Sequence, residues 1–86
     1  GAPEARGLEE RLVTSRLPVI SGAELVRALR KLGYEVSRQK GSHVRLICPG
    51  RPSVTVPMHD EVRRGTLRAI MRLIRLDIDG FLRLLD

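Results

Sequence analysis

His43 opens an alternating segment, with Arg38, Gln39, Lys40, Gly41 and Ser42 before it and Arg45 just after it. An imidazole in water is roughly three-quarters neutral at pH 7, so it can take up a proton and later return one. Cleavage of RNA needs that service. The 2′-hydroxyl attacks the adjacent phosphate once a base removes its proton, and cations stabilise the charge that builds on the phosphoryl oxygens, with no metal required in principle. Lys40, the backbone N–H groups of Gly41 and Ser42, and Arg38 or Arg45 are close enough in sequence to cluster about the histidine. Gly41 would let the main chain come close to a phosphate. On residue types alone, a histidine at a strand start is more often structural or merely exposed.

The second histidine, His59, follows Val56, Pro57 and Met58. It could serve as a second acid or as a phosphate donor, or it could cap a loop by hydrogen bonding; nothing in the spacing shows that the two histidines meet. Arg63, Arg64, Arg68, Arg72 and Arg75 run through the segment that follows, with Arg68, Arg72 and Arg75 at helical spacing on one stripe. Such a stripe suits an RNA backbone, and a helix start after Gly65 would offer free N–H groups to phosphate. A solvated helix face is the competing reading. Cys48 falls among residues of core parity and reads as packing rather than as a reactive thiol.

These residues need elements to hold them. Ser21 to Glu24 reads as a capping box, with Leu25, Val26, Leu29 and Leu32 at helical spacing behind it and Gly33 as a stop, so a helix is expected over roughly residues 22–32. Tyr34 to Gln39 alternates, Lys40 to Ser42 makes a turn, His43 to Cys48 alternates again, Pro49 to Pro52 makes a second turn, and Ser53 to Val56 is a short β-branched strand. A polar, basic stretch from Pro57 to Gly65 leads to a second amphipathic helix carrying Leu67, Ile70, Met71 and Ile74. Asp77 could cap a third, shorter helix with Ile78, Phe81, Leu82 and Leu85, although Gly80 weakens that reading.

The simplest assembly is an α+β fold, a three-stranded antiparallel meander with both main helices on one face. Alternation assigns Val36, Val44, Leu46, Val54 and Val56 to the covered face, and Ser37, His43, Arg45 and Thr55 to the open one. Ile47 shares the parity of His43 and is an exception among the apolar residues. The expected core is Leu25, Leu29, Val44, Leu46, Val54, Val56, Leu67, Ile70 and Ile74.

Composition bounds the function. A chain of 86 residues has room for one compact core and places its site near the surface. Its Lys and Arg number 16 against 10 Asp and Glu, a formal net charge of +6, while 42% of residues are hydrophobic, as expected of a folding protein with a basic surface. All the basic residues except Lys31 and Lys40 are Arg, which favours bidentate recognition of phosphate. Tyr34 and Phe81, without any Trp, leave almost no platform for base stacking, so backbone and shape recognition are expected. A single Cys allows neither an internal disulfide nor a Cys-based zinc site. With no long apolar run and no signal-peptide pattern, a cytoplasmic protein is expected.

The residues from Ser21 to Gly33, Tyr34, Arg38 to His43, Val54 to Pro57, His59, Gly65 to Leu67 and Ile70 together resemble the HicA family of mRNA interferase toxins, over residues 21–76. The resemblance implies an α-β-β-β-α fold like that of double-stranded-RNA-binding domains, metal-independent cleavage of mRNA, no cofactor, and neutralisation by a HicB-like antitoxin. It places the family's catalytic histidine on His43. Residues 1–20 then form an N-terminal extension, helical or partly disordered, and residues 21–86 the HicA-like domain. The segment after Leu76 and the acidic pair Asp60 and Glu61 depart from the family's pattern.

The leading reading is therefore an endoribonuclease toxin with His43 as general acid or base, RNA contacts from Arg38, Lys40, Gly41, Ser42, Arg45, Arg64, Arg68 and Arg72, His59 as an auxiliary, and no metal. A non-catalytic RNA-binding module would use the same basic surface without His43. An interaction subunit for an acidic protein partner is the third alternative.

Overall fold

The computed structural model describes residues 16–86. Most of the N-terminal extension lies outside the described residues. Helix α1 spans Gly22–Lys31 and begins where the sequence places it, because Ser21 and Glu24 form a reciprocal capping box. The Ser21 hydroxyl accepts from the Glu24 N–H at 3.1 Å, and the Ser21 N–H donates to the Glu24 carboxylate at 3.2 Å. These bonds satisfy amide groups that a helix start otherwise leaves open. Leu25, Ala28 and Leu29 are its buried stripe, and Gly33, at φ +103°, turns the chain out of the helix.

Three strands follow, β1 Glu35–Lys40, β2 His43–Cys48 and β3 Arg51–Pro57. They pair antiparallel in the order β1-β2-β3 as one open sheet. Helix α2 spans Arg64–Leu73 and α3 Ile78–Leu84, the latter capped by Asp77, whose carboxylate accepts from the Gly80 N–H at 2.7 Å. The α-β-β-β-α order is thus present, with the third short helix added.

One sheet face is covered. Val44, Leu46, Val54 and Val56 are buried against Leu25 and Leu29 of α1, Leu67, Ile70 and Met71 of α2, Ile74 just beyond it, and Ile78 and Phe81 of α3. All nine expected core residues belong to this cluster. His43, Arg45 and Thr55 lie on the opposite, exposed face, as the alternation requires, and Ile47 lies there with them, 47% exposed.

Val36 is a correction. It was expected on the covered face, yet it is 49% exposed. Strand β1 is an edge strand, every one of its residues is exposed, and its ladder shifts register between Val36 and Arg38, so the sheet is not covered at that edge. The core also takes in residues whose spacing did not mark them: Leu17, Ile20 and Val62 are all buried. Among the described residues, no helix is long and apolar enough to cross a membrane.

Candidate nucleic-acid site

Strict alternation from Tyr34 would put Arg38 on the covered side with Tyr34 and Val36. The register shift changes this. Val36 pairs with Leu46 and Arg38 with Arg45, so Ser37 is an extra residue with no partner, a β-bulge. Beyond it, Arg38 lies opposite Arg45 and Lys40 opposite His43, on the open face. Gly41 and Ser42 close the hairpin between Lys40 and His43, with Gly41 at φ +59°, a conformation glycine adopts without strain. A shallow concavity of about 350 Å³ results, lined by Arg38, Lys40, His43, Arg45 and Thr55. The Arg45 guanidinium donates to the Ser53 hydroxyl at 3.1 Å, which holds it across the sheet surface.

A second concavity, an open cleft of about 380 Å³, adjoins the first through His43 and Thr55. Its other lining residues are Pro57, His59, Arg63 and Thr66. Two backbone bonds fix the loop that carries His59 and Arg63: the Gly22 N–H donates to the His59 carbonyl at 2.9 Å and the Val62 N–H to the Ile20 carbonyl at 2.8 Å. Gly22 is packed so closely that a Cβ there would stand 2.3 Å from the Pro57 oxygen, so only glycine fits where α1 meets the end of β3. The buried Val62 anchors the same loop from below. The loop therefore holds its shape through contacts within the protein.

His43 is exposed and stands where the two concavities meet. His59, also exposed, shares the second of them, so the two histidines that sequence spacing could not relate open onto one cleft. Arg38, Lys40 and Arg45 surround the first, next to the Gly41–Ser42 turn. Arg64, Arg68 and Arg72 line neither. The Arg64 side chain donates to the Leu17 carbonyl at 3.3 Å. Arg68 lies two residues beyond Thr66, about 200° around the helix from the cleft. Arg75 has left α2 altogether and sits at φ +57°, ending the helix. Thr55, Arg63 and Thr66 were absent from the expected site. Thr55 was legible, since it pairs with Arg45 and shares its face. Arg63 and Thr66 reach the cleft through the way α2 packs, which sequence spacing does not encode.

A cleft with two imidazoles beside a cluster of three cations suits proton transfer at a phosphate. Among the described residues, no three His, Cys, Asp or Glu side chains gather to hold a metal ion. The family model for the HicA toxin of bacterial toxin–antitoxin systems matches residues 22–76. The chain belongs to the HicA toxin family. The HicA match begins at the first residue of α1, contains both histidines and all three strands, and stops before α3. A HicA toxin is one half of a toxin–antitoxin pair, which implies an antitoxin as partner. Comparison with curated proteins gave no match, and neither did comparison with solved structures.

Proposed function

We propose that this toxin is a metal-independent endoribonuclease that cleaves mRNA in the cytoplasm, with His43 as the general base and a HicB-like antitoxin as its inhibitor. Arg38, Lys40, Arg45 and the N–H groups of Gly41 and Ser42 hold the phosphate of the cleaved linkage. His43 takes the proton of the neighbouring 2′-hydroxyl, the 2′-oxygen bonds to phosphorus, and the bond to the 5′-oxygen breaks. The products are a 2′,3′-cyclic phosphate and a 5′-hydroxyl. Cations placed around a phosphate stabilise the charge that grows on its oxygens during this displacement.

The observation that carries this reading is the position of His43, exposed at the junction of two concavities with Arg38, Lys40 and Arg45 on the same sheet face. The test is expression without an antitoxin. The parent is expected to arrest growth and to fragment cellular mRNA, while His43→Ala at equal abundance is tolerated and leaves mRNA intact. Equal arrest by both proteins would count against His43 as the catalytic group.

A further inference from the structure

We propose that His59 is the general acid of the reaction, donating the proton that the departing 5′-oxygen takes up. This rests on the endoribonuclease reading above. In-line displacement puts the attacking 2′-oxygen and the leaving 5′-oxygen on opposite sides of phosphorus, so one proton is removed on one side and another is supplied on the other. With His43 as the base, the donor must come from another group that faces the same phosphate.

The lining of the cleft narrows that group to one. Beside His43 it contains Thr55, Pro57, His59, Arg63 and Thr66. A threonine hydroxyl is too weak an acid, a proline has no proton to give, and a guanidinium does not release one in proteins. Lys40 holds the phosphate from the adjoining concavity, but an ammonium is a far weaker acid than an imidazolium; Asp60 and Glu61 line neither concavity. An imidazolium is a proton donor suited to neutral solution.

The backbone brings both histidines to one cleft. Pro57 pairs opposite His43, and the Met58 N–H donates to the Ser42 carbonyl at 2.6 Å, carrying the ladder one residue further. His59 follows two residues after Pro57, beyond the end of β3, and lines the same cleft as His43. The bond from Gly22 to the His59 carbonyl holds the His59 backbone in place before any RNA arrives.

The step balances: the 2′-hydroxyl proton passes to His43, the O2′–P bond forms, the P–O5′ bond breaks, and the His59 proton passes to O5′. Each ring ends in the protonation state the other began in, and exchange with water restores both.

The experiment uses the full chain and an RNA oligonucleotide whose cleaved linkage has been mapped. A second oligonucleotide carries sulfur in place of the 5′-bridging oxygen at that linkage. A thiolate leaves without protonation, so the second substrate needs a base but no acid. His59→Ala and His59→Gln are expected to cleave ordinary RNA about 10²- to 10⁴-fold more slowly than the parent. On the sulfur-linked RNA they should cleave at close to the parental rate, which would also show that they are folded and bind. His43→Ala should be slow on both. Equal losses by the His59 variants on the two substrates, full activity on ordinary RNA, or rescue of His43→Ala by sulfur would each overturn the assignment. Failure of the parent to cleave any RNA would instead remove the endoribonuclease reading on which it stands.

Discussion

At the scale of single residues, Tyr34 shows a constraint that lies away from the cleft and still supports it. Its side chain is 1% exposed, and its hydroxyl donates to the Pro52 carbonyl at 2.7 Å, tying the entry of β1 to β3 beneath the sheet. Burial is the main reason its hydroxyl ionises above a tyrosine's ordinary range; Cys48 adds to the rise and Arg51 opposes it. The folded state thus holds the phenolic proton more firmly than the unfolded chain does. The stability linked to it is present below about pH 10, the ordinary tyrosine value, and is lost as pH rises through the higher folded value. Since the chain has 1 Tyr, the effect can be isolated. Urea unfolding of the parent should weaken above pH 10 more steeply than that of Tyr34→Phe. The variant should be about 1 kcal/mol less stable near neutrality for want of one hydrogen bond. Parallel pH curves for the two proteins would contradict this.

At the scale of elements, the bulge in β1 decides which cations meet His43. The helices were legible because each carries local signals: the Ser21–Glu24 box, the apolar spacing from Leu67 to Ile74, the Asp77 cap. Strands β2 and β3 were legible by alternation, because both lie under the helices on one side and open on the other. Strand β1 was not, since parity read along one strand assumes an unbroken ladder, and Ser37 breaks it. Arg38 and Lys40 were named as phosphate ligands from proximity in sequence; the bulge is what turns them to the open face. Two deletions test this. Removing Ser37 leaves Arg38 opposite Arg45 and Lys40 opposite His43 in a regular ladder, so RNA affinity should stay within a few-fold of the parent. Removing Gln39 keeps the hairpin turn but moves Arg38 opposite Val44, toward the apolar face, and affinity should fall by tenfold or more, about 1.4 kcal/mol. Equal affinities for the two variants would remove the bulge from the site's construction.

At the scale of the whole molecule, one small core serves every part of the site, and it reaches upstream of Ser21. Leu17 and Ile20 are buried, and the backbone at Ile20 and Gly22 holds the loop bearing Val62 and His59. The sequence could not reveal this, because the short apolar run from Leu17 to Ile20, interrupted by Pro18, shows no helical or strand periodicity, and the burial of Leu17 and Ile20 depends on contacts with distant segments. Leu17→Ala is expected to lower unfolding stability by about 2–5 kcal/mol, a large share of what a small domain has, measured by urea denaturation. A loss below about 0.5 kcal/mol, as at an exposed site, would exclude Leu17 from the core. The basic character of the molecule was legible in its net charge of +6, but how the arginines divide was not: Arg38 and Arg45 gather at His43, while Arg64, Arg68 and Arg72 line neither concavity. Binding and cleavage can therefore be separated by a substitution that leaves every cation in place. The direct test is to measure RNA affinity and single-turnover cleavage side by side for the purified parent and His43→Ala, with chelator present and contaminating nuclease excluded. Affinity should barely change while cleavage falls about 10²- to 10⁴-fold; comparable cleavage by the two proteins would contradict catalysis by His43 and leave only an RNA-binding surface.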